Sequence, residues 1–168
     1  REARFAKAAC SLLVSWLEQC PYPRGPNWTS SLESAVRLVN WACAWHLLGA
    51  EDSLLFAAED GRVFRCRWLV SIYQHCHFIS RHLSRHSSAN NHLFGELMGL
   101  FVASVTWPLW PESAHWRAMA RAQLEAEAVK QTGGDGVNRE QAFWYHHEVA
   151  DMMLLCLLFG RANGAEFS

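Results

Sequence analysis

Asn91, His92 and Tyr145 are the residues of this chain whose types fit a single chemistry. Elimination on a uronic acid requires that the substrate carboxylate be held and neutralised, so that the neighbouring C5 proton becomes acidic enough to leave. An amide such as that of Asn91 can hold the carboxylate. A base must then take the proton, and an acid must protonate the departing glycosidic oxygen. His92 and Tyr145 can serve in those steps once a site tunes their pKa values. General acid–base assistance is worth ~10²–10⁴-fold in rate, with the carboxylate clamp contributing separately. Each residue also has a plainer reading. An asparagine at a helix start is commonly a cap, with the following histidine merely polar, and Tyr145 beside Phe143 and Trp144 is by default a core aromatic.

The elements that must position these residues are helical. Glycine and proline punctuate the chain into six helical stretches, and little β-branched alternation suggests a sheet. The pattern predicts an all-α fold with helices over about Glu2 to Gln19, Ser30 to Leu48, Arg62 to Arg85, Asn90 to Thr106, Pro111 to the Gly133-Gly134 pair, and Glu140 to Phe159. Ser30 and Glu33 have capping-box spacing, Gly49 is a C-terminal stop, and a short turn is predicted over Ser53 to Ala58.

The even-numbered helices are apolar nearly all round, with Leu32, Val36, Val39, Trp41, Trp45 and Leu48 on the second and Leu93, Phe94, Leu97, Met98, Phe101 and Val105 on the fourth. Such helices need cover on most sides. The odd-numbered ones keep a polar stripe, as with Arg117, Arg121, Glu125 and Lys130 on the fifth. This alternation predicts αα-hairpins in two layers, an arc of a toroid or solenoid, with an up-down bundle as the competing arrangement. In an up-down succession the N-termini of the second, fourth and sixth helices share one end. That end would gather Asn27-Trp28-Thr29, Asn90-Asn91-His92 and the Asp135 to Tyr145 segment, with unpaired N–H groups that favour a carboxylate or sulfate.

The chain has 168 residues, enough for one domain, 1–168, with a sizeable core. Its formal net charge of -1 leaves no broad basic surface for nucleic acid or an anionic membrane. No apolar run reaches the length of a membrane span, and Arg1 to Lys7 do not read as a signal peptide. Cys10, Cys20, Cys43, Cys66, Cys76 and Cys156 contain no CxxC pair and read as buried free thiols, although an even count is compatible with disulfides. His75, His77, His82 and His86 crowd the third helix, where a solvated, mildly basic outer face outweighs metal binding through the His82 and His86 pair. No metal or other cofactor is expected.

Three segments in order carry a resemblance. Trp28 with the run Leu32-Glu33-Ser34-Ala35-Val36-Arg37-Leu38-Val39-Asn40-Trp41 is followed by Asn91-His92-Leu93 with Glu96 and Gly99. Asp135-Gly136, Glu140-Gln141 and Tyr145-His146 close the series. Together they resemble the heparinase II/III-like polysaccharide lyases and their oligoalginate lyase relatives. The resemblance implies an incomplete (α/α) toroid followed in the full enzyme by a β-sandwich domain, with acidic polysaccharide bound in the cleft between them. It implies Asn91 as carboxylate neutraliser, Tyr145 as acid and base, and His92 as base or substrate-positioning group. Trp28, Arg37, Glu140 and His146 would line the cleft, and the enzyme would be periplasmic or secreted. Ala142 departs from the family, where serine is common, and the histidine and tyrosine that the family brings from its second domain are not in this chain. Two other functions compete: a toroidal glycoside hydrolase using Glu140 and Asp135 as its carboxylate pair, and a non-catalytic sugar-binding helical module.

Overall fold

The computed structural model describes residues 2–167, with side chains from residue 4. Among them the regular elements are six α-helices and short 3-10 turns: α1 (Glu2–Gln19), α2 (Ser31–Leu47), α3 (Glu59–Arg81), α4 (Asn91–Thr106), α5 (Ser113–Gln131) and α6 (Phe143–Ala162). The predicted short turn is present as a 3-10 helix over Leu54–Phe56. Gly49 ends α2 in the left-handed region, with φ 99°, where a side chain would strain the backbone. Ser30 caps α2 by accepting the Glu33 N–H at 3.2 Å.

The limits of three helices differ from the sequence pattern. α3 begins at Glu59 and ends at Arg81, because the Ser84 backbone N–H is drawn to the Glu96 carboxylate at 2.6 Å instead of continuing the helix. α5 begins at Ser113, since the Ser113 hydroxyl accepts the Trp110 N–H and donates to the Trp107 carbonyl, holding a turn through Pro111. α6 begins at Phe143, because the Glu140 N–H is engaged by the Asn138 side chain and Gln141 lies at φ 55°.

The layers follow from where side chains are lost to solvent. Every residue of α4 from Leu93 to Val105 is buried, so this helix is the axis around which the others pack. Small residues let α2 approach it closely. A Cβ added at Gly99 would lie 2.5 Å from the Ala35 Cβ and 2.6 Å from the Ala35 Cα, and one at Gly95 would lie 2.4 Å from Leu32 Cδ1. Leu32 and Ala35 thus meet Gly95 and Gly99 in the same chain order, which makes α2 and α4 parallel. On the other side, Gly95 faces Met152 and Phe101 approaches Gly160, so α6 is parallel to α4 as well.

The odd helices run the opposite way. Ser31, Arg37 and Trp45 of α2 meet His82, His75 and Trp68 in reverse order, and the Gln131 side chain at the end of α5 reaches the Asn90 carbonyl before α4. Parallel α2, α4 and α6 therefore form an inner layer with α3 and α5 behind it, an arc of an α/α toroid. An up-down bundle, in which neighbours alternate in direction, does not produce that row.

α6 is covered on only one side. Val149, Met152, Cys156 and Gly160 are buried, whereas Leu154, Leu157 and Leu158 are each more than half exposed. The expectation that the even helices are covered on most sides therefore holds for α4 but not for α6, where no described element packs on the far face, and on α2 Val36 is exposed. The thiol expectation also needs correction. All six cysteines are free, but only Cys76 and Cys156 are buried, while Cys43 and Cys66 are exposed on α2 and α3. Burial raises the Cys156 thiol pKa to about 12, which keeps it protonated. Among the described residues no helix is long and apolar enough to cross a membrane.

The α2–α4 contact predicts a sharp response to one methyl group. Gly99→Ala should lower stability by about 3 kcal/mol or prevent folding, since the added Cβ meets backbone and cannot be absorbed by a rotamer change. Gly134→Ala, where nothing lies within 4 Å, should stay within about 0.5 kcal/mol. Urea unfolding of the two variants checks the contrast.

Candidate functional site

The N-terminal end of the inner layer is built around the first turn of α4. Asn90, not Asn91, is the capping residue: its Oδ1 accepts the His92 N–H at 3.2 Å. Asn91 is the first helical residue and is buried, with 4% of its surface exposed. Its backbone N–H donates to Glu140 Oε1 at 3.1 Å, and the Asn90 Nδ2 donates to the other oxygen of the same carboxylate at 3.4 Å. The helix N-terminus expected to attract an anion thus already holds one, supplied by the loop before α6. At the start of α2 the corresponding cap is Ser30, whereas α6 has no side-chain cap.

The loop that brings Glu140 here is self-supporting. The Gly133 N–H donates to the Val137 carbonyl at 2.7 Å and the Arg139 N–H to the Gln131 carbonyl at 2.8 Å, closing a tight bend. Asp135 Oδ1 accepts the Val137 N–H inside it, and Gly136 supplies φ 82° at its tip. Asn138 then accepts the Glu140 N–H through its side chain, and its own N–H donates to His146 Nδ1 at 3.3 Å. His146 is therefore half-buried and anchors the loop to α6.

Asn91 is also joined to α6 directly, since its Nδ2 donates to Glu148 Oε2 at 3.4 Å. Glu148 lies three residues after Tyr145, so both project from one face of α6. Tyr145 is 39% exposed, with Phe143 and Trp144 more exposed still; the core-aromatic reading fails because nothing described covers this end of α6. His92 is exposed as well. The junction thus joins a buried amide to two carboxylates, with exposed His92 next to Asn91 in the chain and exposed Tyr145 one turn before Glu148. Three further polar atoms there, Asn91 Oδ1, Gln131 Oε1 and Asn138 Nδ2, are buried with no partner among the described residues.

Trp28 and Arg37 belong to a different cluster. The Trp28 ring packs against Trp16, Tyr22, His75 and Phe78. Arg37 Nε donates to His75 Nε2 at 3.2 Å, its Nη2 donates to the Asn27 carbonyl, and its guanidinium lies 5.2 Å from the Trp16 ring centre. His75, expected on a solvated face, is instead fully buried. Its Nδ1–H donates to the Ser71 carbonyl at 2.7 Å, which leaves Nε2 free to accept from Arg37. The other histidine expectation also changes: α3 ends before His82, so His82 and His86 do not share a helical face. Among the described residues no cluster suited to a metal ion is present. Concavities lie elsewhere too, including an apolar one of about 400 Å³ between α5 and α6 lined by Leu124, Val129, Met153, Leu157 and Phe167.

Glu148, Gln131 and Asn138 were not singled out from sequence. The signal for Glu148 was its i+3 spacing from Tyr145, whereas nothing local marks Gln131 or Asn138.

The His75 cluster makes a pH prediction. Burial, and to a lesser degree Arg37, lower the His75 pKa from 6.5 to about 3, against the opposing pull of the Ser71 carbonyl. The unfolded chain therefore takes up a proton that the folded chain refuses. The stability is fully present above pH 6.5 and falls as the pH drops toward 3. The slope from this residue should approach about 1.4 kcal/mol per pH unit. Urea midpoints between pH 6.5 and 5, compared with His75→Gln, should show that slope diminished in the variant.

Comparison with known proteins agrees with this architecture. The crystal structure of heparan sulfate lyase HepC from Pedobacter heparinus superposes with a TM-score of 0.76 at 22% sequence identity, over 98% of this chain and 25% of that one. A HepC mutant from the same organism gives the same score and identity, with 26% of its chain covered. The chain thus spans about a quarter of the length of these solved chains, and the likeness establishes the fold. No curated protein matches significantly. Residues 1–167 match the family described as Heparinase II/III N-terminus, and the chain belongs to that family.

Proposed function

We propose that this chain is the substrate-gripping arm of a polysaccharide lyase that cleaves uronic-acid-containing polysaccharide, of heparan sulfate or alginate type, by β-elimination. The observation that carries the reading is the junction itself. Asn91 is hydrogen-bonded to Glu140 in the loop before α6 and to Glu148 on the face of α6 that bears Tyr145. Residues far apart in the chain are thereby fixed at one end of the inner layer.

In the proposed reaction substrate binding uncovers the edge of the Asn91 amide, only 4% exposed as it stands, so that it meets the sugar carboxylate and steadies the negative charge that develops as the C5 proton leaves. A base takes that proton, the C5–H electron pair becomes the C4=C5 double bond, and the C4–O bond breaks. Tyr145 protonates the departing oxygen, and His92 serves as base or positions the sugar. Both are exposed enough to be reached. Glu140 and His146 build this site from behind rather than touching sugar, and Trp28 with Arg37 secures the start of α2. A β-sandwich domain in the full-length protein would close the cleft, and a periplasmic or secreted location would suit the substrate.

The hydrolase reading loses support because its two carboxylates are engaged. Glu140 binds the first turn of α4, and Asp135 holds its own bend. A sugar-binding module without turnover remains the contrast that experiment must separate. Full-length protein given heparan sulfate, alginate, hyaluronan and chondroitin should generate the ultraviolet absorbance of an unsaturated sugar with at least one. Tyr145→Phe should reduce that rate ~10²–10⁴-fold while substrate is still bound. Reducing ends without absorbance would indicate hydrolysis, and binding unchanged by any turnover would indicate a module.

A further inference from the structure

The amide of Asn91 can assist elimination only if its Nδ2 faces the sugar carboxylate, and an asparagine amide turned over presents an oxygen instead. Something must choose between the two orientations. The Asn91 Oδ1 is buried and has no partner among the described residues, so no donor holds it. The Nδ2, by contrast, donates to Glu148 Oε2 at 3.4 Å. An ionised carboxylate accepts and cannot donate, so it tolerates the nitrogen and rejects the oxygen. The backbone of the same residue is fixed independently by Glu140 Oε1 at 3.1 Å.

We propose that Glu148 is a positioning residue for Asn91: its carboxylate selects the amide orientation, consuming one Nδ2 hydrogen and leaving the other for the substrate. Glu148 need not touch the sugar. Its place three residues after Tyr145 couples the orientation of the amide to the face of α6 that carries the phenol. This inference rests on the lyase reading for its kinetic consequence, but the choice of amide orientation does not.

The test therefore has two arms, both on the full-length protein. Glu148→Gln keeps the size of the side chain but ends the exclusion of the oxygen: its Oε1 can still accept from Asn91 Nδ2, and its NH₂ group can equally donate to Asn91 Oδ1 once the amide turns over, so both orientations become populated. In the structural arm, the protein is labelled with ¹⁵N-asparagine. The Asn91 side-chain NH₂ signals, assigned by their loss in Asn91→Ala, should be slow to exchange in the parent and shifted and faster in Glu148→Gln. Unchanged signals overturn the proposal whatever the activity.

In the kinetic arm, Glu148→Gln should lower kcat about 10- to 100-fold, with a smaller change in KM, as expected for a misoriented group acting in the transition state. In the Asn91→Ala background the same substitution should change kcat less than twofold. An equal loss in both backgrounds shows that Glu148 acts independently of Asn91 and overturns the proposal. If the parent eliminates no uronic-acid polysaccharide while the NH₂ signals respond as expected, the lyase reading fails and the positioning role stands. Should Glu148→Gln not fold, Glu148→Asp keeps an acceptor-only group. It should then leave the NH₂ signals in place, and their loss would overturn the proposal.

Discussion

Complete burial of α4 is the constraint from which the rest of this architecture follows. A helix that loses every side chain from Leu93 to Val105 to the interior has no solvent-facing stripe, so its neighbours must approach from all sides. Gly95 and Gly99 make that possible by admitting Leu32 and Ala35 of α2 to distances a Cβ would forbid. Close approach on that flank fixes the parallel direction of α2 and α4, and Met152 and Phe101 do the same for α6. Once three helices run parallel in one layer, their connections must return through a second layer, which is where α3 and α5 lie.

Burial of α4 reaches back to Asn91, and the first-turn N–H groups there find their partners within the protein. Asn90 satisfies one from within the segment, and Glu140 satisfies another from the loop before α6. That demand explains why the Asp135 to Glu140 loop is stiffened by its own bend and why α6 cannot start before Phe143. The loop that completes α4 is thus also the one that leads into α6, whose first turn carries Tyr145 and, one turn on, Glu148.

Much of the fold was legible in the sequence because burial leaves a periodic trace. The nearly all-round apolar character of Leu93 to Val105 identified the inner helix, and the polar stripe of α5 identified an outer one. Where expectation and structure part, a side chain far along the chain decides. Glu96 takes the Ser84 N–H and so ends α3 early, and Arg37 finds His75 thirty-eight residues away and turns a supposed surface histidine into a core one. Neither pairing has a local signature. The candidate site was readable as residue types in order, but its support was not. Glu148 and Asn138 differ from other surface-type residues only by what the fold places beside them.

Two carboxylates at a place proposed to hold a third raise an electrostatic question, and their partners answer it. Glu140 is bonded to an N–H of the first turn of α4 and to the Asn90 amide, so its charge is offset by the helix end it completes. That same contact uses up the attraction the bare helix terminus would have offered to a sugar carboxylate. In the proposed reaction the grip on substrate therefore falls not to the helix dipole but to a directional donor, the Asn91 amide, whose strength depends on orientation rather than on net charge. On that proposal a chain with a formal charge of -1 needs no basic surface to recognise an acidic polysaccharide, provided that its few donors are held still. The interlocked carboxylates, costly as charges, serve to hold them.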